Sequence, residues 1–253
     1  MRLATWNVNS LKVRLPHLLD WLGRQEVGIV ALQETKLEDD QFPRAEIEAA
    51  GYHVVFSGQK TYNGVALLAK SEIGQVLREN PHFPDPQKRL IAATMDGIRV
   101  ICAYVPNGQT LESDKYAYKL AWLEGLRHWA AEELRQHEFL ALCGDFNIAP
   151  EDRDVHDPKA WADAILCSPP ERAAFRSLLD LGLADAFRRF AQPEGSFSWW
   201  DYRMLGFQKN KGLRIDHILL STALATRCTA AGIDRAPRKQ PRPSDHAPVW
   251  ADI

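Results

Sequence analysis

The 253-residue sequence predicts an α/β protein, a four-layer sandwich in which two packed, mixed β-sheets are flanked by helices. Three observations predict it. Short β-like runs alternate with helical stretches along the whole chain. Many of the runs follow one another in hairpin fashion, which favours a mixed, largely antiparallel arrangement over a doubly wound parallel sheet. Polar residues recur at the ends of the apolar runs, and two stacked sheets would bring such ends together along one edge.

The elements follow in order. Leu3–Trp6 is a strand, and Leu15, Leu18, Leu19 and Leu22 recur at helical spacing over 15–22. VGIVALQE (27–34) is a continuous apolar run ending in an acid. GYHVVFSG and GVALLAK read as two strands separated by a turn near 60–63. IAATMD and IRVICAYV flank Gly97, a hairpin with an Asp-Gly turn. Residues 113–137 carry the longest helical pattern. A strand at Phe139–Leu142 then runs into GDFN, and a helix over 170–182 starts after a Pro-Pro pair. FSWWDY, LRIDHILLS, 226–233 and 247–252 read as the last strands. The Pro-rich segments 80–86 and 237–243 read as loops, so 1–253 is expected to form a single catalytic domain.

Composition is that of a globular protein, with 45% hydrophobic and 25% charged residues. No stretch approaches the roughly 20 apolar residues that span a bilayer. The N-terminal MRLATWNV reads as a strand and lacks the apolar core of a signal peptide. The four cysteines, Cys102, Cys143, Cys167 and Cys228, form no close pair, and buried thiols in a cytoplasmic protein are expected. The net charge of −2 is unevenly spread: residues 197–242 hold nine Lys or Arg against three acids. A basic segment beside aromatics suits a polyanion-binding surface; the plain alternative is a solvated face balanced by acids elsewhere.

Carboxylates or amides end five separate apolar runs: WN, LQE, GDFN, RID and SDH. A lone acid after a strand is usually a turn or a cap, and GDFN alone could be a turn in which Asp145 bonds the backbone two residues on. Five such ends converging would crowd like charges, which a cation or a pairing histidine must compensate. The donors are oxygen-rich and hold no cysteine, so a hard divalent ion, Mg²⁺ or Mn²⁺, fits better than zinc. A metal beside a basic, aromatic segment points to phosphate-ester chemistry on a nucleic acid.

The motifs TWNVNSL, LQETK, GVALLAK, YVPNG, GDFNIAP, FSWWDYR, GLRIDHILLS and PSDHAPV together resemble the exonuclease III family of DNA-repair nucleases, within the DNase I-like endonuclease/exonuclease/phosphatase superfamily. The match runs in order from residue 2 to about residue 250. GDFN and SDHAPV indicate only the superfamily; the combination of LQETK, FSWWDYR and GLRIDHILLS is much more specific to the repair branch.

The resemblance implies roles. Glu34 is the principal metal ligand, with Asn7 beside it and Asp245 nearby, directly or through water. Asp145 orients or deprotonates the attacking water. Asn147, on the same side if the segment is extended, contacts a phosphate oxygen. His246 contacts the scissile phosphate as an imidazolium held by Asp216, and Tyr104 and Asn107 are further phosphate contacts. His217 points to the opposite face and is read as structural. Of Trp199 and Trp200, one joins the core and the other is exposed or lines a pocket. Trp199, Leu213 and Ile215 would line a pocket for a baseless sugar swung out of the duplex. Lys36, Gln59, Lys60, Tyr62, Arg203, Lys209 and Asn210 are candidate DNA-backbone contacts.

The stretch 151–170 matches the family only loosely, and its AILC is bulky for an open groove. Leu166 or a neighbour is expected to intrude on the pocket and shift the balance toward 3′-end processing, unless AILC simply packs down a helix. The implied protein is a cytoplasmic, monomeric, Mg²⁺-dependent phosphodiesterase. It would cut double-stranded DNA 5′ to abasic sites, remove blocked 3′ ends and degrade 3′ ends of the duplex, with 3′-end processing and little abasic-site cleavage as the alternative balance. Two rivals stand: a phosphatase on the same scaffold, and a DNA-binding protein that has lost catalysis.

Overall fold

The computed structural model describes residues 1–253. In chain order the elements are β1 (Arg2–Asn7), α1 (Leu11–Arg24), β2 (Val27–Gln33), α2 (Arg44–Ala49), β3 (His53–Ser57), β4 (Val65–Ala69), β5 (Gly74–Leu77), β6 (Leu90–Met95), β7 (Ile98–Tyr104), α3 (Asp114–Gln136), β8 (Leu140–Asp145), α4 (Pro169–Leu179), β9 (Leu183–Asp185), β10 (Trp199–Trp200), β11 (Gly212–Leu213), β12 (Asp216–Ser221), α5 (Thr222–Arg227), β13 (Ala230–Ile233) and β14 (Val249–Asp252). One six-stranded sheet runs β13-β14-β1-β2-β4-β3 and the other β5-β6-β7-β8-β12-β9, while β10 and β11 form a small ribbon. Each large sheet has one parallel pair, β1 with β2 and β7 with β8, and is otherwise antiparallel. Parallel neighbours need a crossover, which α1 and α3 supply. This is the mixed, layered architecture the hairpin-rich pattern predicts.

Local chemistry accounts for the boundaries. Asp96 and Gly97 both take positive φ (51° and 75°), as a two-residue turn between β6 and β7 requires. Ser168 caps α4, Glu171 completes the capping box, and the Pro-Pro pair occupies the first turn, where no N–H is missed. Helix α1 buries Leu11, Leu18, Trp21 and Leu22 on one face.

The alternation of the strands positions the site. Side chains facing the space between the sheets form one apolar cluster, including Leu3, Ile29, Ala31, Val100, Cys102, Ala141, Cys143, Ile218 and Leu220. Two further clusters lie outside the sheets, under α1 and α2 and under α3 and α4. Followed toward one rim, the inner face turns polar at period two: Leu3, Thr5, Asn7 on β1; Ala141, Cys143, Asp145 on β8; Leu220, Ile218, Asp216 on β12. Beneath that rim Thr5, Gln33 and Cys102 form a buried polar layer, with Gln33 Nε2 donating to Thr5 Oγ1 (2.9 Å) and to Cys102 Sγ (3.2 Å).

Several expectations need correction. FSWWDY yields only Trp199–Trp200 as strand, and residues 226–227 end α5 before β13 begins at Ala230. LRIDHILLS is interrupted between Leu213 and Asp216, because the Ile215 and Asp216 N–H groups donate to Ser198 Oγ (3.1 Å each) in place of a strand partner. The short elements α2, β5 and β9 were not anticipated; β5 is largely exposed, and α2 buries only Ile47. The basic segment is not one face: Arg214 and Arg238 are buried, and Arg235 and Arg238 stack on Trp200 and Phe207. All four cysteines are buried free thiols. No helix is long and apolar enough to cross a membrane.

Candidate active site

The polar rim gathers residues from the ends of β1, β2, β7, β8 and β12 and from the lip before β14. Asn7 Nδ2 donates both to Glu34 Oε1 and to Asp145 Oδ2 (2.9 Å each), so its two N–H groups bridge the carboxylates. Glu34, just past β2 with φ 54°, also accepts from the Tyr104 hydroxyl (2.9 Å) and pairs with Lys36 Nζ (2.8 Å). Burial opposes the Glu34 charge, but Lys36 and Asn7 outweigh it and hold its carboxyl below the ordinary value. The same acids, with burial as the larger cause, push the Tyr104 hydroxyl well up, so it stays a donor.

Asp145 and His246 complete the centre. His246 Nδ1 lies 2.9 Å from Asp216 Oδ2, and its Nε2 lies 3.8 Å from Asp145 Oδ2. Burial opposes an imidazolium here, yet Asp216 and Asp145 push its pKa up to about 10. Near neutral pH Nδ1–H therefore donates to Asp216 and Nε2–H points into the site. Burial raises Asp145 to about 7, against the pull of the His246 charge. Ser198 Oγ donates to Asp216 Oδ2 (2.6 Å) while taking the two backbone N–H groups at the strand break, which fixes Asp216 from behind.

Glu34, Asp145 and His246 present ligand atoms within 4.8 Å of one another. An imidazolium has no free lone pair, so Glu34 and Asp145 are the members able to hold a cation. Crowded, partly desolvated carboxylate oxygens suit a hard divalent ion. Asp245 lies outside this trio: Oδ1 accepts from Asn9 Nδ2 (2.9 Å) and Oδ2 from Trp199 Nε1 (3.0 Å). Asp245 and His246 thus point apart, as their adjacency on an extended lip requires.

Asn147 differs from expectation. Its backbone is left-handed (φ 50°), not extended, and its N–H donates to Asp145 Oδ1 (2.9 Å). The turn reading of GDFN and the catalytic one therefore coexist. Asn147 reaches Val105 O through Nδ2 and accepts from Asn107 Nδ2 (3.1 Å), which links the GDFN and YVPNG loops. Asn107 and Tyr62 line a cavity of about 640 Å³ together with Gln59, Arg89, Lys115 and Tyr118. Lys36 stands on the site itself, also donating to Asn9 Oδ1 (2.6 Å).

The other predicted residues fall in two groups. Trp200 is core, while half-buried Trp199 packs on Leu213 and Ile215. That trio shares one cluster with Leu166, Val155 and Cys167, and with Trp161 and Ile165 against it, so Leu213 and Ile215 are packed under side chains of the 151–168 segment and do not line an open pocket in this structure. Leu166 packs from a left-handed turn (φ 72°), not from a helix. Arg203 is exposed and paired with Asp201, and Lys60 and Lys209 are exposed. Asn210 is engaged internally, accepting from Trp200 Nε1 and donating to Gly195 O.

Sequence reasoning missed Asn9, Ser198 and the apolar tip of the basic loop, where Tyr202, Met204 and Leu205 are exposed, Met204 by 81%. The tip carried a signal, YRML between charged and aromatic neighbours; Asn9 and Ser198 carried none.

Comparison with known proteins agrees with this geometry. The pattern of the Endonuclease/Exonuclease/phosphatase family matches residues 4–246. Exodeoxyribonuclease III of Haemophilus influenzae is 38% identical over 267 residues, covering 100% of both chains. A 3′ phosphatase of Neisseria, solved with a product DNA hairpin, superposes with a TM-score of 0.98 at 47% identity, covering 100% of this chain and 99% of that one. An AP endonuclease from Archaeoglobus fulgidus superposes with a TM-score of 0.96 at 39% identity, again covering 100% and 99%. By sequence and by the site it assembles, the chain belongs to the endonuclease/exonuclease/phosphatase family, in the company of its exodeoxyribonuclease III members.

Proposed function

We propose that the protein is a Mg²⁺-dependent DNA phosphodiesterase of the exonuclease III type, which processes 3′ ends of duplex DNA and leaves 3′-hydroxyl groups. The observation that carries this reading is the convergence of Glu34, Asp145, Asp216 and His246 at one rim, with opposite charges poised a few ångströms apart. The activities of its relatives, exodeoxyribonuclease III, 3′ phosphatase and AP endonuclease, support a DNA substrate. A pure DNA-binding protein would gain nothing from buried carboxylates facing a polyanion.

The residues divide the work. Asp145 takes the proton of the attacking water; a value near 7 lets it be ionised yet basic enough. The His246 imidazolium stabilises the charge that builds on the phosphoryl oxygens, and Asp216 keeps the ring charged and aimed. Glu34, its carboxylate fixed by Tyr104 and Asn7, would hold the cation beside Asp145, with Asp245 nearby. That ion, Mg²⁺ or Mn²⁺, would neutralise phosphate charge and acidify water. Asn107, Asn147, Lys36, Tyr62 and Arg203 contact the DNA strand. The protein acts as a monomer in the cytoplasm.

One observation favours 3′-end processing over abasic-site cleavage. Leu166 is 5% exposed and packs with Leu213 (0%) and Ile215 (1%) beneath Trp199. A sugar swung out of the duplex must displace that packing, whereas a 3′ end needs no extrusion. The test uses a duplex with one abasic-site analogue beside a duplex with a recessed 3′ end, each in Mg²⁺ and in EDTA. A Mg²⁺-dependent ladder from the 3′ end with weak nicking at the lesion is expected, with nicking rising in Leu166→Gly. Strong nicking 5′ to the lesion, unchanged by Leu166→Gly, would remove the role of Leu166. No Mg²⁺-dependent cleavage of either duplex would overturn the nuclease reading.

A further inference from the structure

Lys119 and Glu171 are two charges with no solvent exposure at all, joined at 2.5 Å. Burying such a pair is costly unless every polar atom finds a partner. Here each partner belongs to a different part of the site. Lys119 Nζ donates to Glu171 Oε1, to Asn107 O (3.1 Å) and to Asn147 O (2.7 Å), which uses all three of its protons. Glu171 Oε1 also accepts from Leu166 N (3.1 Å), and Oε2 accepts from Ser168 N (3.0 Å) and Ser168 Oγ (2.7 Å).

The three loops held in this way are strained. Asn147, Gln109 and Leu166 all have positive φ (50°, 64° and 72°). Such backbone persists only where surrounding structure over-determines it. Gly108 shows how tightly the loops meet: a Cβ there would stand 2.9 Å from Ile165 Cδ1 and 3.2 Å from Lys119 Cδ. Ala149 N adds a direct bond to Leu166 O (2.8 Å). The ion pair therefore sits where the phosphate-contacting loop, the catalytic turn and the pocket-filling loop converge.

We infer that the Lys119–Glu171 pair is a positioning device that locks these three loops to one another, so that turnover and substrate choice are set by a single buried contact. The inference rests on the nuclease reading above for its functional consequence, but not for the linkage itself. The sequence carries a signal for it. Lys119 lies on the buried stripe of α3 with Trp122, Leu126, Trp129 and Glu133, and a charge on an apolar stripe demands a buried partner.

The same helix supplies a control. Glu133, about 21 Å along α3, pairs with Arg99 at 2.5 Å, also buried, and touches none of the three loops. The experiment compares Lys119→Met/Glu171→Gln with Arg99→Met/Glu133→Gln by amide hydrogen exchange and by steady-state kinetics on both duplexes. In the first variant, residues 105–109, 145–149 and 163–168 are expected to lose protection together. Its kcat on recessed 3′ ends should fall about tenfold or more with KM little changed, and the ratio of lesion nicking to 3′-end cleavage should shift. The control should lose melting temperature alone. If the double variant does not fold, Tyr116→Phe, which removes only the hydroxyl on Ser168 Oγ (2.6 Å), should loosen the same segments to a smaller degree. Segments that loosen independently, or equal effects from the control, overturn the inference. Cooperative loosening in the double variant, with no nuclease activity in the wild type, would instead overturn the functional reading and leave the linkage standing.

Discussion

Strand β12 carries two buried ionisable groups side by side, Asp216 and His217, and its two faces treat histidine in opposite ways. On the inner face Asp216 holds His246, whose pKa rises to about 10 because Asp216 and Asp145 outweigh burial. On the outer face His217 packs edge-on against Phe146, 4.7 Å from the Phe175 ring centroid, and close to the Arg214 guanidinium. Burial, reinforced by Arg214, drives its pKa well below the ordinary value. His217 Nε2 bonds Ile148 O (2.9 Å), so the neutral ring is protonated there and Nδ1 accepts from Arg214 (3.0 Å). Arg214 is itself clamped by Asp154 and Asp185. Burial is common to both rings; the sign of the neighbouring charge decides the state. The inner face sets an imidazolium between Asp216 and Asp145 at the rim, and the outer face clamps its guanidinium between Asp154 and Asp185.

Removing the charge at the rim should have the largest effect. Asp145→Asn should lower kcat by roughly 10²–10⁴-fold with an unchanged circular-dichroism spectrum. A loss of less than about tenfold would place the base elsewhere. Asp216→Asn comes next. It removes the charge that raises His246, so the ring should titrate closer to its ordinary value near 6.5. The alkaline limb of kcat/KM should move to lower pH, with kcat down by roughly a hundredfold. An unmoved limb would show that His246 does not set it.

A third effect lies in stability. Asp145 has its folded-state pKa raised from 3.8 to about 7, so the folded protein binds that proton more tightly than the unfolded chain. The contribution is fully present below about pH 4 and is lost as pH rises through about 7. His246 adds a contribution present below about 6.5 and lost through about 10. Metal-free protein should therefore lose melting temperature as pH rises from 4 to 8, and Mg²⁺ should restore more at pH 8 than at pH 5. Equal metal stabilisation at both values would contradict a cation held by Asp145. The smallest effect on activity belongs to the outer face. His217→Gln should cost about 1–3 kcal/mol of stability while kcat stays near wild type, measured by urea unfolding beside steady-state assay.

The inner face was far more legible in the sequence than the outer one. Polar residues ending apolar runs are visible because strand alternation places them at period two, so Asn7, Asp145 and Asp216 could be named before any coordinates. The Arg214–Asp154 pair could not, since it joins residues 60 apart within segments that read as a strand and a loop. Gln33 and Thr5 look like ordinary strand positions until Cys102 is brought beside them. Asn147 and Leu166 were placed by assuming extended or helical backbone, and both take left-handed conformations, which asparagine tolerates and leucine rarely adopts. Local pattern reveals which face a residue takes; it does not reveal which distant charge will meet it there.

The most direct test is a ¹⁵N NMR titration of the histidine rings in metal-free protein, with His217→Gln and His246→Gln for assignment. The account predicts that His246 stays cationic until the pH approaches 10, while His217 stays neutral, with its proton on Nε2, across the range where an ordinary imidazole titrates. Two rings that both titrate near 6.5 would contradict it, and with it the view that the charges flanking β12 set the reaction centre on one face only.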